Sequence, residues 1–209
     1  MRFFAGLLTA LVALSPLAHA DTTLAGSDFS AISGGIGLCP MSDDCLQAAQ
    51  QFTVFAPVLI DEIKVVVTAP GLIPTDGIFQ VNLGGALGSF PIPIGSGDII
   101  VDPKGGPVQE EFDFTGLDIS LATGTYFLEM TGGNVAWDHA PNLTTTPGTL
   151  GPTWVCDPTV TCASNRWDES QSTEAVQIDG TAITPEPSTF ALLGTGILGL
   201  AGVAKRRLS

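Results

Sequence analysis

Four cysteines are the residues of this sequence with the most evident chemistry, and they form two close pairs. The pairs are Cys39 with Cys45 and Cys156 with Cys162, and five residues separate the two members of each pair. Disulfides within the pairs would close two loops, and each would stabilise the fold by about 2 kcal/mol. Four cysteines allow three pairings, so the crossed pairings stay open. Zinc is the other use of four thiols, but it usually takes cysteines two to four residues apart. We therefore expect disulfides, formed in an oxidising compartment, and no metal on these cysteines.

Asp138-His139 is the next candidate, because a histidine beside a carboxylate could serve a hydrolase that uses serine, histidine and aspartate. No G-x-S-x-G sequence accompanies it, and a single histidine at the end of a strand is more often a turn residue. Adjacent acidic residues could serve glycoside hydrolysis or hold Ca²⁺. These acidic pairs are Asp43-Asp44, Asp61-Glu62, Glu110-Glu111 and Asp168-Glu169. In a chain with 21 acidic residues such pairs arise without a site. We predict that the chain is not an enzyme and needs no cofactor, with Ca²⁺ as the one alternative.

Tryptophan is the residue type here that could bind carbohydrate, because an aromatic ring stacks on the apolar face of a sugar. The three tryptophans that remain after removal of a leader are Trp137, Trp154 and Trp167. Exposure of all three on one face would favour a carbohydrate-binding module. Burial of all three in a core would favour a surface or matrix protein. The sequence leaves both readings open, and an extracellular hydrolase ranks third.

The charge of the chain excludes two classes of partner. The 209 residues carry a formal net charge of −14. Between residues 21 and 184 there are three basic and twenty acidic residues. A field of this sign repels phosphate backbones and anionic lipid headgroups. We therefore expect no nucleic-acid binding and no peripheral binding to a membrane surface.

Apolar and polar residues alternate through this central region, with Gly and Pro between the runs, which indicates short strands. The predicted strand regions are 52–60, 63–69, 78–83, 98–102, 111–114, 117–121, 125–131, 134–137 and 174–183. Asp61-Glu62 should separate the first two strands, and Gly132-Gly133 should form a hairpin turn. The one helical candidate is Ser42–Gln51. This pattern predicts an all-β fold, an antiparallel β-sandwich or jelly-roll-like domain.

Several residues of these strands should face the core, because they recur with period two. They are Phe112, Phe114, Ile119, Leu121, Tyr126, Leu128, Val176 and Ile178.

The first twenty residues have the layout of a cleavable export signal. Arg2 supplies a positive charge, an apolar run extends from Phe3 to Leu14, and small residues occupy positions 18 and 20. The apolar run is shorter than the roughly 20 residues of a membrane span. We expect cleavage before Asp21.

The last residues predict a single transmembrane helix. Phe190–Ala204 is a run of fifteen residues without a charge, about 23 Å long as a helix. A cluster of basic residues follows, and such clusters stay on the cytoplasmic side. Its members are Lys205, Arg206 and Arg207. An exported N-terminus and a cytoplasmic C-terminus require one crossing, and this is the one candidate segment.

Pro185-Glu186-Pro187, the apolar run and the basic cluster follow one another in the order of a known sorting signal. This tail resembles the PEP-CTERM signal of exported bacterial proteins, over about the last 25 residues. The resemblance implies a Gram-negative bacterium that makes extracellular polysaccharide or biofilm matrix. It also implies processing by exosortase, a membrane transpeptidase that recognises the motif. A permanent anchor is the alternative.

These observations predict three regions. Residues 1–20 form a signal peptide, residues 21–184 a β-sandwich domain, and residues 185–209 the sorting signal. We expect a non-enzymatic protein, anchored in the inner membrane before processing and then placed at the cell surface or in the extracellular matrix. The alternative is a module that binds exopolysaccharide, with or without Ca²⁺.

Overall fold

A computed structural model describes residues 22–38, 47–69, 77–100, 106–143, 145, 147–156 and 166–183. Across these residues the chain is all-β, with antiparallel sheets and one short 3₁₀ turn at Phe29–Ala31. The strands are β1 Thr22–Gly26, β2 Ser33–Leu38, β3 Gln47–Val54, β4 Val58–Ala69, β5 Gly77–Gly84, β6 Ile92–Ile99, β7 Val108–Leu121, β8 Gly124–Gly133, β9 Val135–His139, β10 Gly148–Cys156, β11 Asp168–Ser170 and β12 Val176–Ala182. The expected all-β class is confirmed.

Two antiparallel sheets face each other across one apolar core. The first sheet has the order β1-β12-β4-β9-β2, and β7 pairs with β4 as well. The second sheet has the order β11-β10-β3-β8-β5-β6. Strands close in sequence are often far apart in the sheets, so the fold depends on pairings between distant segments.

The core is built by the period-two alternation that the sequence shows. Phe52, Phe79 and Leu128 of the second sheet lie fully buried opposite Ile63 and Ile178 of the first. All eight residues expected to face inward belong to this core or pack against it. Phe112 and Phe114 are only half buried, because β7 lies at the edge of its sheet. There Phe112 packs edge-to-face on Phe79, with ring centroids 4.8 Å apart.

Several boundaries predicted from the sequence are wrong: the predicted strand 52–60 is divided between β3 and β4, and the predicted strands 111–114 and 117–121 are both part of β7. Asp61-Glu62 does not separate two strands but lies inside β4, where Ile60 and Glu62 pair with the consecutive residues Gly180 and Asp179 of β12, so that Asp61 is one extra residue. This arrangement is a β-bulge, which absorbs one extra residue without ending the strand. Residues 47–51 of the helical candidate Ser42–Gln51 belong to β3, because pairing with β8 and β10 on both sides outweighs local helix preference. The rest of that segment lies outside the described residues.

The predicted hairpin at Gly132-Gly133 is also wrong. β8 and β9 follow each other in the chain but belong to different sheets. Both edges of β8 are already paired, with β3 and with β5, so β9 cannot join it. The chain crosses between the sheets at Asn134, whose φ is +57°. Asparagine adopts this left-handed conformation more readily than most residues do.

The two ends of the chain lie outside the described residues. They include the predicted signal peptide 1–20 and the predicted span Phe190–Ala204. Within the residues that are described, no helix has the length and apolar character needed to cross a membrane.

Candidate functional site

Asp138 and His139, the predicted catalytic pair, point to different partners. The Asp138 carboxylate is buried and accepts hydrogen bonds from Thr68 Oγ1 at 2.8 Å and from Gln109 Nε2 at 2.6 Å. Burial raises the pKa of Asp138, and the two hydrogen bonds partly offset that effect. Asp138 therefore joins β9 to β4 and β7 and does not orient the imidazole.

His139 instead pairs with a carboxylate that the sequence analysis missed. Its Nδ1 lies 3.0 Å from Oε2 of Glu174, whose side chain is fully buried. Ser172 Oγ donates a hydrogen bond to the other oxygen, Oε1, at 3.1 Å. The carboxylate therefore lies between the hydroxyl and the imidazole. A serine hydrolase needs the imidazole in the middle, where it can take the proton of the hydroxyl.

Glu174 belongs to a polar cluster that connects the two sheets. Its backbone N–H donates to Gln50 Oε1 at 2.9 Å, and Thr153 Oγ1 donates to the same oxygen at 2.8 Å. Gln50 Nε2 in turn donates to the carbonyl of Gly151 at 2.8 Å. One signal in the sequence could have indicated this cluster. Gln50 occupies a core-facing position between Ala48 and Phe52, where a polar residue needs a buried partner.

The His139–Glu174 pair holds its proton tightly. The Glu174 carboxylate, 3.0 Å from Nδ1, raises the pKa of His139, and burial raises the pKa of Glu174. Both directions mean that the pair, as a unit, keeps one shared proton to a higher pH than either group would alone. The pair can therefore act as a structural link whose contribution to stability depends on pH.

The folded protein should lose stability as the pH rises from about 5 to about 8. The contribution of charged His139 is complete below its ordinary pKa of 6.5 and is lost as the pH rises through the raised value. Glu129, Asp138 and Glu174 act in the same direction, because burial raises their pKa values and the folded chain holds their protons more tightly than the unfolded chain. The lowered pKa of exposed Asp28 acts below its ordinary value of 3.8, outside this window. Thermal unfolding midpoints measured across the range test this, and a midpoint that rises with pH would contradict it.

The three tryptophans do not share a face. Trp137 is fully buried in the core, and its Nε1 donates to the carbonyl of Ala175 at 3.1 Å. Trp167 is half buried and packs edge-to-face on Phe90, with ring centroids 5.9 Å apart. Trp154 is partly exposed in β10, and its Nε1 donates to Gln51 Oε1 at 3.1 Å. The candidate carbohydrate-binding set is therefore divided, and Trp137 is removed from it.

The described acidic pairs do not converge on one point. Glu62 forms an ion pair with Lys64 at 3.0 Å, and Lys64 also reaches Asp179 at 3.3 Å. Glu110-Glu111 lies in β7, whereas Asp168-Glu169 lies in β11 of the other sheet. In the described ranges no group of three or more metal-binding side chains lies together. Asp43-Asp44 lies outside those ranges.

Only one of the four cysteines is described. Cys156 ends β10, is buried and is disulfide-bonded. Cys39, Cys45 and Cys162 lie outside the described residues. Which cysteines pair with one another therefore stays a prediction.

The described fold ends immediately before the predicted sorting motif. Ile183 is the last described residue of the domain, and its N–H donates to the carbonyl of Pro57 at 2.7 Å. Pro185-Glu186-Pro187 begins two residues later. The motif is therefore attached to the sandwich by a very short connection.

Comparison with known proteins identifies this tail. The family model described as the PEP-CTERM protein-sorting motif matches residues 184–207. No curated protein is similar enough to the chain to count as a match. The chain therefore carries the PEP-CTERM protein-sorting motif, which marks it as an exported protein of a Gram-negative bacterium that is sorted through an exosortase.

Proposed function

We propose that this protein is a non-enzymatic component of the cell surface or extracellular matrix, placed there when its tail is processed. The observation that carries the proposal is the sorting motif at 184–207, which starts directly after Ile183, the last residue that the structure describes. The folded domain needs no further segment between itself and the motif. The domain is the cargo, and the tail is its delivery signal.

The arrangement of the tail supports this mechanism. Residues 1–20 would direct export, and Phe190–Ala204 would cross the inner membrane with the basic residues on the cytoplasmic side. Six residues, 184–189, connect Ile183 to the apolar run, and fully extended they reach about 20 Å. The prolines disfavour helix there, so the backbone would be presented to the enzyme between the domain and the bilayer.

The arrangement of the described side chains supports a non-enzymatic role. His139, the only histidine between residues 21 and 184, is paired with Glu174. The Ser172 hydroxyl donates its hydrogen bond to the Glu174 carboxylate and not to the imidazole. The described acidic pairs lie on separate strands and partly form ion pairs. These groups hold strands together, as in a protein whose task is display or binding.

The combined change of Pro185 and Glu186 to alanine tests the proposal. We expect the domain to fold normally, because both residues lie beyond its last described strand, β12. The uncut chain should accumulate in the membrane fraction, whereas the wild type should be shortened and released. Immunoblotting of membrane and medium fractions, with mass spectrometry of the released C-terminus, measures this.

The matched control is the change of Leu208 and Ser209 to alanine, which alters the same tail outside the matched residues 184–207. We expect its processing to equal that of the wild type. Release of the Pro185 and Glu186 variant at the normal rate would disprove sorting through this motif and leave the tail as a simple anchor.

A further inference from the structure

A row of six side chains crosses the whole outer face of the second sheet. Each residue of the row lies directly opposite the next one on the neighbouring strand. In order, the residues are Glu169, Trp154, Ala49, Glu129, Asn82 and Pro93. Directly paired residues point to the same face of a sheet. Their chain neighbours, such as Leu128, Met130 and Leu83, face the core, so this row faces outward. With neighbouring strands about 4.8 Å apart, the row is about 24 Å long.

The outward positions beside the row are mostly uncharged and polar. They include Gln47, Gln51, Gln80, Ser96, Phe127 and Thr131, and Cys156 and Gly84 occupy two further positions. Each amide side chain both donates and accepts hydrogen bonds, as the hydroxyl groups of a sugar also do. We call the row and these flanking residues the outer platform.

Trp154 is held in place on the outer platform. Its partner across the strands is Ala49, whose small side chain leaves room for the indole, and its Nε1 bonds to Gln51 Oε1. Gly151 also leaves room for the Gln51 side chain, which an added Cβ would meet at 2.9 Å. The indole is therefore a partly exposed aromatic surface with a fixed orientation, which lowers the entropy cost of stacking a ligand on it.

A depression lies at the opposite end of the outer platform. It has a volume of about 280 Å³ and is lined by Gln80, Asn82, Pro93, Gly95 and Ser96. It forms where the pairing of β5 with β6 shifts register between Val81 and Asn82. Asn82 Nδ2 donates to Glu129 Oε2 at 3.3 Å, which joins the depression to the centre of the row.

The outer platform differs from the first sheet in its charged residues. None of the six strands of the second sheet contains Lys or Arg, so an anionic polymer would find no cation on these strands and would be repelled by the exposed carboxylate of Glu169 at one end of the row. Glu129 is buried, and burial raises its pKa, which favours the uncharged form. On the first sheet, by contrast, Glu62, Lys64 and Asp179 form ion pairs. In a chain of net charge −14 this face suits an uncharged ligand.

We infer that the outer platform binds an uncharged polysaccharide chain, with Trp154 stacking on one sugar and the amides of Gln80 and Asn82 binding the hydroxyls of another. The length of the row matches an extended polymer better than a single sugar. A stable protein interface would need an apolar centre. On the outer platform, amides and hydroxyls surround the two aromatic residues, Trp154 and Phe127. This inference concerns the displayed domain alone and does not depend on how the tail is processed.

Affinity electrophoresis of the full-length protein, in a detergent without sugar groups, tests the inference. The native gels contain soluble neutral glucans, mannans or galactans, or alginate as an anionic polymer. We expect at least one neutral polymer to retard the wild type and alginate to have no effect. Trp154→Ala should weaken the binding about tenfold, a common effect of losing one aromatic anchor. Gln80→Ala should weaken it about threefold, through the loss of hydrogen bonds.

Gln177→Ala is the matched control, because it removes an amide from the first sheet, where Gln177 bonds to Asp179 and Thr23. Its binding should equal that of the wild type, and near-ultraviolet circular dichroism should show that all variants are folded. Retardation by none of the neutral polymers, or equal binding by the Trp154→Ala and wild-type chains, would overturn the inference. So would an oligomer that dissociates in Trp154→Ala without any polysaccharide effect, since that result assigns the face to a second copy of the chain.

Discussion

Replacing Trp137 with alanine should lower the free energy of unfolding by about 3–5 kcal/mol, the range measured for large aromatic residues in protein cores. Trp137 is fully buried in β9 and is the largest of the fully buried side chains among the described residues. The change would leave a cavity between the sheets. It would also leave the carbonyl of Ala175 without the indole N–H that lies 3.1 Å from it, and an unsatisfied buried acceptor adds its own cost.

Trp154→Ala provides the comparison for this change, because it removes the same side chain from the partly exposed outer face. Its loss of stability should be less than half that of Trp137→Ala, since water can fill the vacated space. Urea unfolding followed by near-ultraviolet circular dichroism measures both losses. Equal losses would show that Trp137 does not occupy the core position described here.

His139→Ala should have the second largest effect, a loss of about 3 kcal/mol near neutral pH. The substitution leaves the fully buried carboxylate of Glu174 without its partner 3.0 Å away. An unpaired buried charge either remains at high cost or takes up a proton. Because protonation removes the charge, the loss should shrink as the pH falls towards about 5.

Glu174→Gln separates the charge from the shape of this pair. The amide keeps an acceptor for Ser172 and gains an N–H that can donate to the imidazole, so its cost should be about 1 kcal/mol. The stability of this variant should also depend less on pH than that of the wild type. Urea unfolding at about pH 5 and about pH 7 tests both statements. If His139→Ala and Glu174→Gln cost the same at both pH values, the pair does not act as a charged link.

The alternation of apolar and polar residues predicted which side chains face the core but not which strands pair. In β12, for example, Val176 and Ile178 were expected inside and are fully buried. Periodicity states which face a residue takes, because successive side chains in a strand point to opposite faces. It carries no information about the neighbouring strand. For this reason the predicted hairpin at Gly132-Gly133 was wrong, since β8 was already paired on both edges.

The candidate sites show the same division. The carbohydrate-binding hypothesis could identify tryptophans by type, but only the packed sheets show that Trp137 is enclosed and Trp154 lies outside. Glu174 is a single acidic residue between Thr173 and Ala175 and belongs to no recognisable sequence motif. Its partners His139 and Gln50 come from distant parts of the chain, with Gln50 lying 124 positions away. No local pattern can encode a contact of that separation.

The amino-acid sequence by itself determined the sorting motif at 184–207, the all-β class and the inward residues of the strands. These properties depend on the order of residues within short segments, and a recognising enzyme or a single strand reads them locally. The tertiary structure alone decided the order of strands, the buried link between His139 and Glu174, and the row of outward side chains across the second sheet. Each of these exists only once distant strands are paired, because a row across a sheet takes one residue from each strand and a buried ion pair needs both sheets to exclude water.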